Sequence, residues 1–104
     1  MQIIIKALKG FDLFEDKKSY VEEKFCKFEP MVKEPAVLEF TFEHTHGTRA
    51  NIDKKVTLNF TMAGMTKAEH IEELDTHFPE AIDKLQKRFE NFLSRYNDKL
   101  KNHR

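Results

Sequence analysis

The chain has 104 residues, with 18 lysines and arginines balanced by 18 aspartates and glutamates, so its formal net charge is zero. This balance argues against bulk attraction to nucleic acid, and any basic surface must come from segregated charge. No apolar run approaches the roughly 18 residues of a membrane span, and the single cysteine, Cys26, excludes an internal disulfide. These features predict one domain over residues 1–104, located in the cytoplasm, with no membrane partner.

The first elements are a strand and a helix. Residues 3–8 form a β-branched, apolar run that is closed by Gly10, which predicts the first strand. Because both faces of this strand are largely apolar, we expect it inside the sheet. Asp12 precedes Glu15 at the capping-box spacing, which predicts a helix that continues to about Glu29 and ends at Pro30.

This first helix has two stripes when each residue is rotated by about 100° from the one before it. Its apolar stripe contains Phe14, Val21, Phe25 and Phe28. Its basic stripe contains Lys17, Tyr20, Lys24 and Lys27. We expect the apolar stripe to face the core and the basic stripe to lie beside it.

Three further strands are predicted after the first helix. Period-two alternation over residues 37–43 and 55–62 indicates the second and third strands, of which the third has one polar face. Gly47 marks the loop between them, and Ala63-Gly64 marks a tight turn. A weaker fourth strand follows over residues 65–74, and its charges favour an edge position or a solvated tip.

The last third of the chain predicts one long amphipathic helix from Thr76, the expected N-cap, to about Asn102. Pro79 is tolerated in its first turn. The apolar positions are Phe78, Ile82, Leu85, Phe89, Leu93, Tyr96 and Leu100. A flanking basic stripe contains Lys84, Arg88, Arg95 and Lys99, with Asn91 just beyond it.

The element order β-α-β-β-β-α predicts an α+β fold in which two helices pack on one face of a four-stranded sheet. The ten phenylalanines are concentrated at inward positions, so we interpret them as core residues. The outward sheet positions are threonine, asparagine and glutamate rather than aromatic residues, which argues against a sheet that stacks on RNA bases.

The patterns of catalytic and ligand-binding sites were not found. Four histidines, His44, His46, His70 and His77, lack cysteine or carboxylate partners at a spacing typical of metal sites. The first strand is followed by a single glycine, Gly10, where phosphate-binding loops need several. No carboxylate lies in an apolar segment beside a second polar group. We therefore predict a protein that is not an enzyme and that uses no metal or cofactor.

Basic stripes on two helices of one layer favour an anionic partner. Placed side by side, they would form a groove of lysine and arginine that neutralises phosphates and recognises the RNA backbone and shape. The residues thus indicate structured RNA. Two alternatives remain open: a general module for double-stranded RNA, and a protein-interaction domain that uses the polar sheet face or the acidic residues 69–75.

Two segments resemble the family of ribosome hibernation-promoting factors and ribosome-associated translation inhibitors. Residues 20–29, YVEEKFCKFE, resemble the first-helix segment of that family. Residues 77–103 contain FPEAID, RF and RYNDKLK in the order of the family's last helix. The length and the element order also agree with the family.

The resemblance implies a stress factor that binds rRNA of the small ribosomal subunit in the decoding channel, where it blocks messenger and transfer RNA. Ribosomal proteins are further candidate contacts, and we expect a monomer off the ribosome and a short form without a C-terminal dimerisation domain. The residues that match the family's RNA contacts are Lys24, Lys27, Arg88 and Arg95, and Lys17, Lys84 and Lys99 share their stripes. Three departures, Pro30, Asn91 and Phe92, make the predicted basic surface thinner than is usual in the family.

Overall fold

The computed structural model describes residues 1–8, 15–45 and 52–101. In chain order the elements are β1 (Gln2–Ala7), α1 (Glu15–Phe25), a 3-10 helix (Cys26–Met31), β2 (Ala36–His44), β3 (Lys54–Met62), β4 (Glu69–Asp75) and α2 (Phe78–Lys101). This order confirms the predicted α+β fold. The predicted cap Asp12, the core position Phe14 and the loop residue Gly47 lie outside the described residues.

The four strands form one mixed sheet in the order β1-β2-β3-β4. β1 runs parallel to β2, and the other two pairs are antiparallel. The prediction that the first strand lies inside the sheet is therefore wrong, because β1 is an edge strand. Its apolar residues Ile3 and Ile5 pack against the core on one face of the sheet, so the apolar pattern does not require a strand on each side. Ile3 and Ile5 pair with the buried β2 residues Leu38 and Phe40, and Ile4 on the opposite face is half-buried.

Aromatic side chains fill the space between the sheet and the helices. Every described phenylalanine except Phe92 is buried, which confirms their interpretation as core residues. The ring of Phe89 lies at the centre, with its centroid 5.7 Å from that of Phe25, 5.1 Å from that of Phe28 and 4.8 Å from that of Phe60. One α2 side chain thus joins α1, the 3-10 helix and β3.

The first helix is shorter than predicted. α1 ends at Phe25, and the chain continues as a 3-10 helix that contains Pro30. Proline removes a backbone N–H and its ring clashes with the preceding turn of an α-helix, so the tighter geometry near it has a local cause. Phe28 of the 3-10 helix is still buried, as the apolar stripe predicted.

The last helix begins later than predicted but has the expected core face. α2 starts at Phe78, and the hydroxyl of Thr76 bonds to the side chains of Asp75 and His77, so the prediction of Thr76 as the N-cap is wrong. Pro79 lies in the first turn, where its missing N–H leaves no helix bond unmade. The predicted apolar residues Phe78, Ile82, Leu85, Phe89 and Leu93 are buried.

The turn between β3 and β4 holds the predicted tight turn at Ala63-Gly64. Gly64 has a φ of +92°, a region that side chains other than glycine rarely adopt. β4 then begins at Glu69, and its place at the edge of the sheet confirms the prediction made from its charges. This turn brings the end of β3 against the C-terminal half of α2, where the hydroxyl of Tyr96 reaches the carbonyl oxygen of Gly64 at 3.5 Å.

Candidate nucleic-acid interface

The α1 row consists of the three predicted cations of the first helical segment, Lys17, Lys24 and Lys27. Lys24 and Tyr20 both contact Asp83 of α2, at 3.7 Å from the ammonium and 2.7 Å from the hydroxyl. Lys27 lies 4.0 Å from the carboxylate of Glu90. The α1 row therefore faces a flank of α2 that is acidic rather than basic.

The hydroxyl of Tyr20 is the most strongly shifted titrating group in the described part of the chain. Its hydrogen bond to Asp83, together with partial burial, raises the pKa of Tyr20 to about 12. The phenol therefore stays protonated and donates to this carboxylate at every physiological pH. The bond orients Asp83 toward α1, where the same carboxylate meets the ammonium of Lys24.

Lys17 lies at the other end of the α1 row. Its ammonium stands 5.7 Å from the centre of the Phe78 ring, within the range of a cation–π contact. A cavity of about 270 Å³ opens beside it, and Tyr20, Lys54 and His77 also line this cavity. Lys17 of α1 and Lys54 of β3 thus bring two cations to this cavity beside the start of α2.

The α2 row consists of Lys84, Arg88, Arg95 and Lys99. Its first half is tied to the edge strand: Lys84 lies 2.6 Å from Asp75, and Arg88 lies 2.5 Å from Glu73 and 2.8 Å from the carbonyl oxygen of Glu72. The two β4 carboxylates are largely covered, with 19% of each side chain exposed, whereas over half of each cation is exposed. The ammonium and guanidinium groups thus remain accessible to a partner.

The second half of the α2 row makes no ion pair with the residues that the structure describes. Both Arg95 and Lys99 are exposed, and Arg95 donates from Nε to the carbonyl oxygen of Asn91 at 3.4 Å. Within the described ranges, neither side chain reaches a carboxylate. The C-terminal half of α2 therefore presents cations that a phosphate can approach without displacing an ion pair.

The expected groove between two basic stripes is not formed. α1 lies against the flank of α2 that carries Asp83 and Glu90, and Asn97 on the same flank donates to the carbonyl oxygen of Met31 at 3.3 Å. The α2 row lies on the opposite flank, against β4. The pairs that helical rotation groups, Lys24 with Lys27 and Lys84 with Arg88, each lie along one flank. Which neighbour each flank would meet depends on the placement of β4 and α1.

The open face of the sheet is polar, as predicted. Asn59 and Glu72 bond the two ring nitrogens of His70, each at 2.7 Å, and Lys55 lies 3.1 Å from Glu72. The bond from His70, with help from Lys55, lowers the pKa of Glu72 below its ordinary value. Side chains of this face thus satisfy one another and offer no aromatic surface for base stacking among the described strands.

Neither family models nor curated proteins match the sequence. Two solved structures share its backbone over almost the whole chain. A ribosomal subunit interface protein from Coxiella burnetii has a TM-score of 0.72 at 17% identity, covering 94% of this chain and 99% of that one. The N-terminal domain of Protein Y from Thermus thermophilus has a TM-score of 0.73 at 18% identity, covering 92% and 99%. The chain shares the fold of these two proteins.

This fold agrees with the resemblance seen in residues 20–29 and 77–103. Residues 20–29 cover the second half of α1 and the first part of the 3-10 helix, and residues 77–103 include all of α2. All members of the two basic rows except Lys17 therefore lie in the segments that carry the resemblance. The sequence had not singled out Lys67 or Lys87, which are also exposed and make no ion pair in the described part of the chain. Their positions in a turn and on the far side of α2 leave no periodic signal that would have marked them.

The described residues form neither a cluster of metal ligands nor a helix that could span a membrane. In the described ranges, no three histidine, cysteine, aspartate or glutamate side chains are grouped as metal ligands. His46 lies outside those ranges, and His70 is engaged by Asn59 and Glu72. The described helices include none that is long and apolar enough to cross a bilayer.

Replacing Lys84 by glutamine is expected to make stability less sensitive to acid. The Lys84 ammonium and then the Thr76 N–H lower the pKa of Asp75 below its ordinary 3.8. Because the folded pKa is the lower one, this carboxylate stabilises the fold above the unfolded pKa and loses that contribution as pH falls through the folded pKa. Urea midpoints measured between about pH 5 and about pH 2 should fall less in Lys84→Gln than in the unchanged protein.

The matched control is Lys87→Gln, which removes one exposed cation of the same helix that pairs with no described carboxylate. Its urea midpoint should follow the pH dependence of the unchanged protein. Identical acid dependence in Lys84→Gln and in the unchanged protein would contradict a stabilising pair between Lys84 and Asp75.

Proposed function

We propose that this protein is a non-enzymatic translation inhibitor that binds the small ribosomal subunit in the decoding channel and excludes messenger and transfer RNA. The observation that carries the proposal is the backbone match, over 94% of the chain, with a protein described as a ribosomal subunit interface protein. The resemblance of α1 and α2 to the hibernation-factor family supports the same role. Occlusion requires surface complementarity alone and no catalytic group.

The contact surface in this proposal is two separate basic rows rather than one groove. The α1 row and the α2 row lie on the solvent side of the helical layer, separated by the acidic flank of α2. Exposed ion pairs such as Lys24–Asp83 contribute only ~0–1 kcal/mol to stability, so a phosphate can take the place of the carboxylate at little cost. Arg95 and Lys99 need no such exchange and are therefore the first contacts we expect.

The double change Arg95→Gln/Lys99→Gln is expected to weaken co-sedimentation with ribosomes. Affinity falls as salt rises, and each lost phosphate contact reduces the magnitude of the slope of log affinity against log salt concentration by ~0.7–0.9. The dependence in the double variant should therefore be flatter by about 1.5. The measurement is the fraction of protein that sediments with ribosomes over a series of salt concentrations.

The matched control is Lys6→Gln/Lys55→Gln, which removes the same charge from the open face of the sheet, where these lysines pair with Glu39 and Glu72. Its binding and salt slope should equal those of the unchanged protein. Equal weakening by both double changes would show that net charge, rather than the α2 row, governs binding, and would contradict the proposed surface.

Competition with duplex RNA separates this role from that of a general double-stranded RNA module. Binding of ribosomes depends on the shape of one channel, so an excess of an unrelated duplex should leave the protein on the ribosome. Displacement at matched phosphate concentration would instead support a general duplex binder. A stable protein partner without salt-sensitive RNA binding would support the protein-interaction alternative.

A further inference from the structure

A groove lies where the β3–β4 turn meets the C-terminal half of α2, and the described residues that line it include no member of either basic row. Its volume is about 240 Å³, below the ~300–1,000 Å³ of pockets for drug-sized ligands, so it suits one small ring system. Phe92 and Tyr96 form the wall on α2, and Met65, Lys67 and Glu69 line the side of the turn and β4. All these residues belong to the described part of the chain.

The aromatic wall is held in place by the core but is not covered by it. The rings of Phe92 and Tyr96 are stacked, with centroids 5.8 Å apart and an interplanar angle of 28°. Phe92 also meets the buried ring of Phe60 edge-on, at 6.1 Å and 80°. Both wall residues remain partly exposed, whereas every other described phenylalanine is buried. This stretch of α2 thus holds two partly exposed aromatic rings in a fixed mutual orientation.

Cations surround this aromatic wall. Lys67 lines the groove from the turn, and Arg95 and Lys99 follow Phe92 and Tyr96 by three residues each, which places them next to these rings on the helix surface. None of the three cations is ion-paired within the described ranges, in contrast to Lys84 and Arg88 in the first half of α2. Proteins that bind single-stranded nucleic acids combine aromatic rings, on which the bases stack, with cations that contact the phosphates.

One carboxylate distinguishes the groove from a purely cationic patch. Glu69 lines it and is partly exposed, and its oxygens accept hydrogen bonds but cannot donate them when ionised. A carboxylate repels phosphate, so its place in this site fits a donor group of the ligand instead. Adenine, cytosine and guanine carry exocyclic amino groups that donate in this way, whereas the one donor on the uracil ring edge is its N3–H.

We propose that this groove binds one unpaired RNA nucleotide, with its base added to the stack that Phe92 and Tyr96 form and its phosphate between Lys67 and Arg95. Glu69 accepts a hydrogen bond from the exocyclic amino group of the base. The assignment rests on the proposed RNA-binding role and adds to it a single-stranded contact, whereas the two basic rows recognise backbone and shape. It also gives a function to Phe92, one of the three departures from the resembled family.

The test measures the affinity of the intact protein for short single-stranded oligo(A), oligo(C) and oligo(U) RNA by fluorescence anisotropy. Oligo(A) and oligo(C) should bind more tightly than oligo(U). Phe92→Leu keeps an apolar side chain against Phe60 but removes the stacking face, and it should weaken binding by about 5- to 150-fold, the equivalent of ~1–3 kcal/mol per stacked base. Phe92→Tyr should restore binding, and Glu69→Gln should reduce the difference between oligo(C) and oligo(U).

Unchanged affinity in Phe92→Leu, or no binding of any oligonucleotide by the unchanged protein, would overturn the inference, and capture of a protein at this groove without RNA binding would do the same. Ribosome co-sedimentation is measured in parallel, so that the two proposals fail separately. A protein that binds oligonucleotides through Phe92 but not ribosomes refutes the ribosomal role alone. A protein that binds ribosomes while Phe92→Leu binds oligonucleotides normally refutes the groove alone.

Discussion

Replacing Phe89 by alanine is expected to lower the free energy of unfolding by ~3–5 kcal/mol. The Phe89 ring is fully buried at the centre of α2 and meets the rings of Phe25, Phe28 and Phe60. Its removal loses the transfer free energy of the ring, leaves a cavity among three other rings, and breaks edge-to-face contacts worth ~0.5–1.5 kcal/mol per pair. For a domain whose total stability is ~5–15 kcal/mol, this single change removes a large share of it.

Urea unfolding followed by circular dichroism measures this effect. Phe89→Leu provides the graded comparison, because it retains part of the volume and should destabilise the protein less than alanine does. A change to alanine at Phe92, which is partly exposed, should also cost less than Phe89→Ala. A loss below ~1 kcal/mol in Phe89→Ala would show that the core closes around the missing ring, contrary to the expected cavity.

The combined change of Lys24, Lys27, Arg88 and Arg95 to glutamine is expected to abolish co-sedimentation with ribosomes at physiological salt. If each cation neutralises one phosphate, the magnitude of the slope of log affinity against log salt concentration should decrease by about three. Glutamine is the appropriate replacement because glutamate would stand against existing carboxylates, such as Asp83, Glu90 and Glu73, and could disturb the fold. The measurement is a ribosome gradient over a salt series, with the fold checked by circular dichroism.

A second variant tests the same surface in the opposite direction. Asp83→Asn/Glu90→Gln keeps Lys24 and Lys27 but removes the carboxylates that they contact. Freed cations gain more from a phosphate than paired ones do, so this variant should bind ribosomes more tightly than the unchanged protein.

Undiminished binding of the fourfold glutamine variant would show that the ribosome contact lies elsewhere on the molecule.

Much of the fold follows from local patterns. The 3.6-residue period of α2 identified its core face from Phe78 to Leu93, and the period of two in β2 and β3 identified which strand residues point inward. These predictions succeeded because burial of one face is enough to impose the period on a segment. The start of α2 was predicted less well, because the Thr76 hydroxyl bonds to the side chains of Asp75 and His77 instead of capping the helix. The end of α1 was also predicted less well, because the chain continues past Phe25 as a 3-10 helix that contains Pro30.

The candidate site followed from the sequence only in part. Rotation along each helix grouped Lys84 with Arg88 and Lys24 with Lys27, and the structure keeps these groups on common flanks. The sequence analysis did not identify the groove that Phe92 and Tyr96 line. Phe92 was not among the predicted apolar positions of α2, and its partial exposure beside the β3–β4 turn is decided by the tertiary structure.

The sequence by itself determined the element order, the core faces and the membership of each basic row, because these depend on residues a few positions apart. Tertiary structure alone decided what lies beside each row: Asp83 and Glu90 face α1, and Glu73 and Asp75 of β4 face the α2 row. It likewise placed β1 at the edge of the sheet. The physical reason is that a helical period specifies the angle between residues on one helix but carries no information about which distant element packs against each side.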